Sequence, residues 1–286
     1  MKTVIADCGS TKADWAIIDN GTAALRFTAT GFNAAVTDPA VIRQILRTEV
    51  APQLSERIDR VCFYGAGCIG GEVDEALRRI LAEALPLSPG ATVEVASDLT
   101  GAARALFGDA SGIACILGTG SNSGFYDSKE IIANTPPLGF ILGDEGSGAV
   151  LGRRLVSDIY KGLMPDDVTE AFHREYPDSK ADVIRKVYRE GGANRYLASF
   201  CPFLSAHLDS PAIVALISSE FTSFIRRNLT PYLAITGKRR HVPGFIGSVA
   251  YHFREILSDV CRAEGYGTPQ IFRAPIDRLI DYHIAH

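Results

Sequence analysis

The stretch T-V-I-A-D-C-G-S-T-K-A-D-W-A-I-I occupies residues 3–18 and indicates the fold more strongly than any other part of the sequence. Its two apolar runs, 3–6 and 13–18, have the composition of buried strands. The polar segment 7–12 between them contains a glycine and is typical of a tight turn. The chain therefore opens with a predicted β-hairpin whose turn has an acid at one end and a lysine at the other.

The same pattern of strand, glycine turn and strand recurs over residues 113–126. An internal repeat of this kind predicts two related halves. The glycine-containing segment 108–112 is the natural boundary between them. We therefore expect an N-terminal domain over 1–109 and a C-terminal domain over 110–286 with a helical insertion. Whether the last helix packs back on the first domain stays open.

Strands and helices alternate in the first half, and the second half is mostly helical, which places the chain in the α/β class. The predicted helices cover 39–50, 73–85, 98–107, 146–163, 166–174, 179–190, 194–208, 211–230, 249–264 and a last segment from Ile276; further strands are predicted at 61–64, 92–96, 242–246 and 270–274.

The composition limits the classes of function. The 286 residues are 47% hydrophobic and 22% charged with a net charge of −4, an ordinary globular balance that lacks the basic surface needed for nucleic acid. The basic cluster 238–240 is typical of a solvated loop. The six cysteines form no C-x-x-C pair, which favours reduced thiols in a cytoplasmic protein over a zinc or iron–sulfur site. No pattern of a signal peptide or membrane span is present, so no membrane partner is expected.

Both glycine turns expose backbone N–H groups on one side, and such a concavity binds phosphate oxygens where glycine permits a close approach. Two hairpins that face each other would hold a polyphosphate from both domains. The alternative is a pair of ordinary β-turns. The predicted phosphate-binding residues are Gly9, Ser10, Thr11 and Lys12 in the first turn and Gly118, Thr119 and Gly120 in the second.

Three acids lie at positions that suit catalysis. Asp7 ends a buried strand, where its carboxylate could hold Mg²⁺ or merely cap the turn. Asp98 stands between a strand and a helix, so it could take the proton of an attacking hydroxyl, or it or Ser97 could cap that helix. Asp144 lies in the loop G-D-E-G-S-G at 143–148, where it could bind sugar hydroxyls or simply favour a helix N-terminus.

Residues 65–70 read G-A-G-C-I-G, and this G-x-G-x-x-G after a strand and before a helix raises the alternative of a dinucleotide-binding fold. Two features oppose it. The motif does not lie in the first strand-to-helix turn of the chain, and the next acid at a strand end, Asp98, follows at more than the usual spacing of about 20 residues. The sequence contains no Walker A motif and no G-x-S-x-G nucleophile elbow.

These motifs, taken in chain order, resemble those of the N-acetylglucosamine kinase branch of the BadF/BadG/BcrA/BcrD ATPase family. The resemblance covers nearly the whole chain and rests on five segments: D-x-G-S-T-K at 7–12, the strand end at Asp98, I-L-G-T-G-S-N at 116–122, G-D-E-G-S at 143–147 and F-I-G-S-V-A at 245–250. It implies two ribonuclease-H-like domains of the actin and hexokinase type around a cleft for ATP, Mg²⁺ and sugar.

The resemblance also implies roles for individual residues. Asp98 would be the catalytic base, and Gly247 and Ser248 would belong to the adenosine-binding turn. Asn33, Asn122 and Asp144 would contact an amino sugar, and Gly139 would leave room for a bulky substituent. The family carries a glycine–tryptophan element near that pocket, whereas this chain has P-P-L-G-F at 136–140, which leaves the choice of sugar open.

The expected reaction is transfer of the γ-phosphoryl group of ATP to the 6-hydroxyl of N-acetylglucosamine. Alternatives are a kinase of N-acetylmuramic acid or glucosamine, an ATPase of the radical-dehydratase type, and a sugar sensor of the same fold. The cysteine pattern disfavours the ATPase, which needs an iron–sulfur cluster. The presence of both Asp7 and Asp98 disfavours the sensor. A homodimer stays open.

Overall fold

The computed structural model describes residues 1–237 and 239–286, so Lys238 of the basic cluster lies outside the described residues. The chain divides into two compact units. Unit 1 comprises Met1–Ala110, Ser128–Glu130 and Ala274–His286, and unit 2 comprises Ser111–Asp127 and Ile131–Arg273. The end of the chain thus belongs with unit 1, whereas the predicted second domain runs to residue 286 and includes it. None of the helices in the described ranges has both the length and the apolar character needed to cross a membrane.

Each unit is built on a mixed five-stranded sheet. In unit 1 the strands are β1 Lys2–Cys8, β2 Lys12–Asp19, β3 Thr22–Thr30, β4 Ile58–Gly65 and β5 Leu87–Ser97, in the order β3-β2-β1-β4-β5. In unit 2 they are β6 Gly112–Leu117, β7 Ser121–Tyr126, β8 Ile131–Thr135, β9 Pro243–Ile246 and β10 Gln270–Phe272, in the order β10-β9-β6-β7-β8. Both sheets join an antiparallel meander to parallel strands.

Helices follow the parallel strands and fill the second half. They are α1 Pro39–Ile45, α2 Gly71–Ala84, α3 Asp98–Phe107, α4 Gly139–Leu142, α5 Gly148–Tyr160, α6 Asp166–Glu175, α7 Lys180–Tyr188, α8 Ala193–Ala198, α9 Cys201–Ala206, α10 Pro211–Phe224, α11 Ser248–His252, α12 Arg254–Ala263 and α13 Ile276–Ala285. π turns continue α1 over Leu46–Val50 and α10 over Ile225–Leu229.

Several predicted boundaries are corrected. The predicted helix 194–208 is two helices, because Pro202 lacks the N–H of a helix interior and suits the first turn of α9. The predicted helix 249–264 is divided at Phe253, and the predicted helix 211–230 ends as an α-helix at Phe224. The strands β3 and β8 are not predicted at all.

The sheet of unit 1 is covered on both faces, and the side chains along each strand alternate between these two faces. Val4 and Phe63 lie in the cluster that packs under α1 and α2, whereas Ile5 and Tyr64 lie in the cluster that packs under α3 and α13. Residues adjacent in sequence thus serve opposite cores. The C-terminal helix α13 is therefore part of the hydrophobic packing of unit 1, through Leu279 and Ile280.

The core of unit 2 lies between its sheet and the helices α5, α10 and α12. Leu117 of β6 and Phe245 of β9 are fully buried in a cluster with Leu155, Phe221 and Leu257 from those helices. The carboxyl ends of β6 and β9 therefore lie against helices that fix the loops following each strand.

Candidate active site

The first glycine turn is shorter than predicted. The ladder between β1 and β2 extends to Cys8 and Ala13, so only residues 9–11 remain in the turn. The Gly9 N–H donates to the Lys12 carbonyl over 3.0 Å, and the Gly31 N–H donates to the Thr11 carbonyl over 3.0 Å. A Cβ atom on Gly31 would lie 2.1 Å from the Gly9 carbonyl oxygen, so the turn packs directly on glycine.

Acidic side chains surround this turn. Asp7 on β1 is half-buried and pairs in register with Asp14 on β2. Burial, followed by the charges of Asp98 and Asp14, raises the pKa of the Asp7 carboxyl to about 7, and Lys12 partly opposes this shift. The Lys12 ammonium lies 2.7 Å from an Asp14 carboxylate oxygen and is largely exposed. The cluster therefore favours a cation, since a positive ion would relieve the repulsion among its carboxylates.

Asp98 is the first residue of α3, but it is not the cap of that helix. The Ser97 hydroxyl accepts the Thr100 N–H over 3.1 Å and fills the cap position. An Asp98 carboxylate oxygen accepts the adjacent Leu99 N–H over 2.8 Å. Burial raises the pKa of the Asp98 carboxyl despite that hydrogen bond. The structure thus assigns the cap to Ser97 and leaves a half-buried carboxylate of raised basicity at the end of β5.

The second glycine turn is held by the N-terminus of α5. The Gly118 carbonyl accepts the Gly148 N–H over 2.8 Å, and the Thr119 carbonyl accepts the Ala149 N–H over 3.1 Å. Gly247 packs against Leu117, the residue before the turn. A Cβ on Gly247 would lie 2.2 Å from the Leu117 carbonyl oxygen, and its φ of 129° is one that only glycine adopts readily. The turn is therefore fixed between a helix start and a glycine of the β9–α11 loop.

A cavity of about 550 Å³ opens beside this second turn, within unit 2. Such a volume suits a small ligand or cofactor. Its lining combines the predicted Gly118, Thr119 and Ser248 with side chains that sequence reasoning did not identify: Ala198, Ser199, Cys201, Pro202, Ser205, Ala206, Val249, His252 and Phe253. The small residues at 198, 201, 202 and 205 recur at helical spacing and could have indicated this wall.

Asp144 connects the second turn to the segment 136–140. The N–H groups of Ser121 and Gly139 donate to its carboxylate, while burial raises its pKa. A Cβ on Gly120 would lie 3.1 Å from one Asp144 oxygen. Gly120 and Gly139, predicted as separate phosphate and sugar residues, thus both lie near one carboxylate.

The two asparagines of the predicted sugar site lie in different units. In unit 2, the Asn122 side-chain oxygen accepts the Ser123 N–H over 2.9 Å and the Asn134 side-chain N–H over 2.8 Å. In unit 1, the Asn33 side-chain oxygen accepts the Ala35 N–H over 3.0 Å. Hydrogen bonds therefore fix the orientation of both side-chain oxygens.

Asn33 also explains the G-x-G-x-x-G motif. A Cβ on Gly67 would lie 2.1 Å from the Asn33 side-chain oxygen, and Gly67 has a φ of 80°. A side chain at position 67 would therefore displace Asn33 and strain the backbone. The motif has a local structural cause, which removes the main support for a dinucleotide-binding fold.

Comparison with known proteins identifies the family. No protein-family model and no curated protein matches the chain. A solved structure of a candidate N-acetylglucosamine kinase from Porphyromonas gingivalis is 45% identical in sequence, covers 99% of each chain and superposes with a TM-score of 0.90. This chain belongs to the N-acetylglucosamine kinase family. It is a sugar kinase, so the predicted family, fold class and type of enzyme are confirmed.

More distant structures agree on the fold of this kinase. A candidate N-acetylglucosamine kinase from Chromobacterium violaceum is 15% identical over 98% of each chain with a TM-score of 0.75. A ROK family glucokinase from Streptomyces griseus, in complex with glucose and AMPPNP, is 15% identical over 99% of this chain and 98% of that chain with a TM-score of 0.57. Both support the two-sheet architecture of the kinase.

Proposed function

We propose that this kinase transfers the γ-phosphoryl group of ATP to the 6-hydroxyl of N-acetylglucosamine. The observation that carries the proposal is the placement of Asp98, which lies at the end of β5 with a raised pKa while Ser97 caps the helix. A carboxylate of raised basicity is suited to accept a hydroxyl proton near neutral pH.

Asp98 would act as the general base. As the sugar oxygen O6 attacks the γ-phosphorus, its proton passes to an Asp98 carboxylate oxygen. The O6–P bond forms, the bond from phosphorus to the β,γ-bridging oxygen breaks, and ADP leaves. Such a transfer depends mainly on the positions of the reacting groups and on stabilisation of charge. The protein therefore needs to supply only rigid turns that hold the phosphates and one base.

The cavity in unit 2 is the proposed site of the nucleoside. Its walls are small or apolar, with hydroxyls from Ser199, Ser205 and Ser248, which suits a base and a ribose. Gly118 and Thr119 lie on the same cavity, so the phosphates would begin at the second turn. A Cβ on Gly118 would meet nothing within 4 Å, which leaves the space that a phosphate requires.

Asp7 is the proposed residue for Mg²⁺. Within the described ranges no three His, Cys, Asp or Glu side chains form a metal site, so the protein would supply few ligands. This agrees with the usual binding of Mg²⁺ through one or two carboxylates, substrate phosphates and water. The ion, when bound, supplies charge neutralisation for the phosphates, and the carboxylates around Asp7 fit that role because each raises the proton affinity of Asp7.

Amino-sugar specificity is proposed from Asn33, Asn122, Asp144 and the space at Gly139. A Cβ on Gly139 would meet nothing within 4 Å, so an acetamido group finds room beside the Asp144 carboxylate. The likeness to the P. gingivalis protein at 45% identity supports the same substrate class. These half-buried partners for an amide would be left unpaired by a sugar that lacks one, and that mismatch discriminates against it.

A panel of sugars tests the proposal. We expect kcat/KM for N-acetylglucosamine to exceed that for glucose and glucosamine by about tenfold or more, since one lost hydrogen bond in a buried site accounts for about that factor. N-acetylmuramic acid tests whether the 136–140 segment admits a larger substituent. NMR of the product identifies the phosphorylated oxygen. Preference for glucose or glucosamine would refute the acetamido site, and a phosphate on any other oxygen would refute the 6-hydroxyl.

A further inference from the structure

A buried polar cluster joins four elements of unit 1. The Arg104 guanidinium on α3 donates to the Tyr64 hydroxyl on β4 over 2.6 Å, and that hydroxyl lies 2.9 Å from Nε2 of His283 on α13. Arg104 also forms an ion pair with Glu94 on β5. Tyr64 is fully buried, and His283 is 7% exposed. Neither the proposed chemistry nor the binding of substrates uses these side chains.

The hydrogen bonds define the protonation of the cluster. Because Arg104 donates to the Tyr64 oxygen, the tyrosine proton is directed to Nε2 of His283, which accepts it as a neutral imidazole. Burial lowers the pKa of His283 to about 4, in agreement with a neutral ring. Among the described residues, neither Nδ1 of His283 nor Nε of Arg104 has a hydrogen-bond partner. Such orphan groups are costly, so apolar packing would serve stability better at this position.

Tyr64 contacts both elements that carry the proposed catalytic carboxylates. It is the register partner of Asp7 on the neighbouring parallel strand. On its other side, α3 packs so closely that a Cβ on Gly101 would lie 2.8 Å from Cβ and Cγ of Tyr64. Gly101 is one helical turn from Asp98. The tyrosine ring therefore supports the first turn of α3.

We infer that His283 and Arg104 are positioning residues that hold Tyr64 against α3 and thereby fix the direction of the Asp98 carboxylate. This inference rests on the proposed role of Asp98 as the base. The C-terminal helix then contributes to turnover without touching a substrate. A displacement of about 1 Å in a base can lower the rate by up to a hundredfold, so loss of this support has a measurable effect on kcat.

The test uses the full chain with three substitutions and a control. His283→Leu removes the acceptor for the tyrosine proton, Tyr64→Phe removes the hydroxyl but keeps the ring against Gly101, and His283→Gln restores an acceptor. Asp281→Ala changes an exposed residue on the same helix and serves as the control. We expect kcat to fall about tenfold in His283→Leu and Tyr64→Phe, with KM for both substrates close to wild type. The melting temperature should fall by a few degrees in each, because one buried polar group loses its partner. His283→Gln should recover most of the loss.

The double variant Tyr64→Phe with His283→Leu should be no slower than the slower single variant, because both changes remove one hydrogen bond. Wild-type kcat in the folded single variants would overturn the inference. A fall in kcat that only matches a loss of folded protein would also overturn it, since it indicates a structural role. Asp98→Asn, assayed in parallel, tests the role of Asp98 as general base separately from the positioning role of His283. If Asp98→Asn is inactive while His283→Leu has normal kcat, the role of Asp98 is supported and the positioning role is rejected.

Discussion

The two glycine turns share a sequence pattern but differ in their electrostatic surroundings. The first turn, at 9–11, lies beside Asp7 and Asp14, and Lys12 is paired with Asp14. The second turn, at 118–120, lies against the N-terminus of the 13-residue helix α5. A helix N-terminus carries partial positive charge, whereas clustered carboxylates repel a phosphate. The second turn has one neighbouring carboxylate, Asp144, but is held by a helix N-terminus, so it depends less on a cation to hold an anion than the first turn does.

This difference teaches that the hairpin pattern alone does not define a phosphate site. The charge comes from residues outside the turn, which are the neighbouring strands in unit 1 and a helix in unit 2. We therefore expect the carboxylates of unit 1 to control the rate of phosphoryl transfer and the response to Mg²⁺. The turn of unit 2 should control the affinity for the nucleotide.

The largest expected effect is on the unit 1 side. Asp98→Asn should lower kcat by roughly 10²–10⁴, the usual contribution of a general base, with binding of ATP and sugar changed only a few-fold. Ser97→Ala is the matched control, because it removes the true cap next to Asp98 and should cost about 1 kcal/mol of stability with kcat nearly unchanged. Steady-state kinetics and a melting curve separate the two effects. An Asp98→Asn variant with near wild-type kcat would remove Asp98 from the mechanism.

The next effect concerns Asp7 and pH. The folded chain holds a proton on Asp7 up to about pH 7, whereas the unfolded chain releases it near the ordinary value of 3.8. The contribution of this group to the free energy of unfolding therefore falls as pH rises from about 4 to about 7 and stays low above that. Without ligands, Asp7→Asn should be more stable than wild type at pH 8, by a few kcal/mol, and similar to it at pH 4.

Urea unfolding at both pH values measures this difference, with the exposed Asp209→Asn as control. Adding Mg²⁺ and ATP should reverse the order at pH 8, because only wild type offers the carboxylate to the ion. If the difference between Asp7→Asn and wild type is the same at pH 4 and pH 8, then Asp7 has no raised pKa and the contrast between the two turns is wrong.

The smallest effect is expected at the second turn. Gly118 lines the cavity, a Cβ there would meet no atom within 4 Å, and its φ is not positive. Gly118→Val should thus fold normally but weaken ATP binding by about tenfold, or 1.4 kcal/mol. Gly191→Val is the matched control, since Gly191 also has open space and no positive φ but lies away from the cavity. Calorimetric titration with ATP decides, and equal affinities in the two variants would exclude the turn from phosphate binding.

A substitution at Gly120 is a poorer test of phosphate binding at the second turn than a substitution at Gly118. Its φ is not positive, so a side chain there brings no backbone strain. A valine would instead approach the Asp144 carboxylate, because even a Cβ lies 3.1 Å from it. Substitution at 120 would therefore disturb the proposed sugar and nucleotide sites together.

The fold was predictable where strands carry apolar runs and less so where their residues are exposed: of the four edge strands, β5 and β10 were predicted and β3 and β8 were not. The hairpins β1–β2 and β6–β7 follow from apolar runs around glycine. In contrast, β3 and β8 are edge strands, and the residues of β3 are mostly exposed. An edge strand with a solvated face carries little apolar signal, so propensity alone does not reveal it.

The candidate site was predictable only where a residue occupies a position that the local sequence pattern reveals. Asp98 and Ser97 stand at a strand–helix junction, which the sequence reveals, although not which of them is the cap. The wall of the cavity at 198–206 depends on tertiary packing. Tyr64 and His283 are 219 residues apart in the chain, so no local pattern could bring them together.

The return of residues 274–286 to unit 1 has a consequence for biosynthesis. The face of the first sheet that carries Ile5 and Tyr64 must wait for Leu279 and Ile280, which leave the ribosome only after all of unit 2 has been made. At 5–20 residues per second, that interval is of the order of 10–30 s. During this time α3 already covers part of this face, and only the apolar part that α13 will cover stays exposed on the nascent chain. Chaperone capture of the growing polypeptide should therefore be strongest between the emergence of β5 and that of α13.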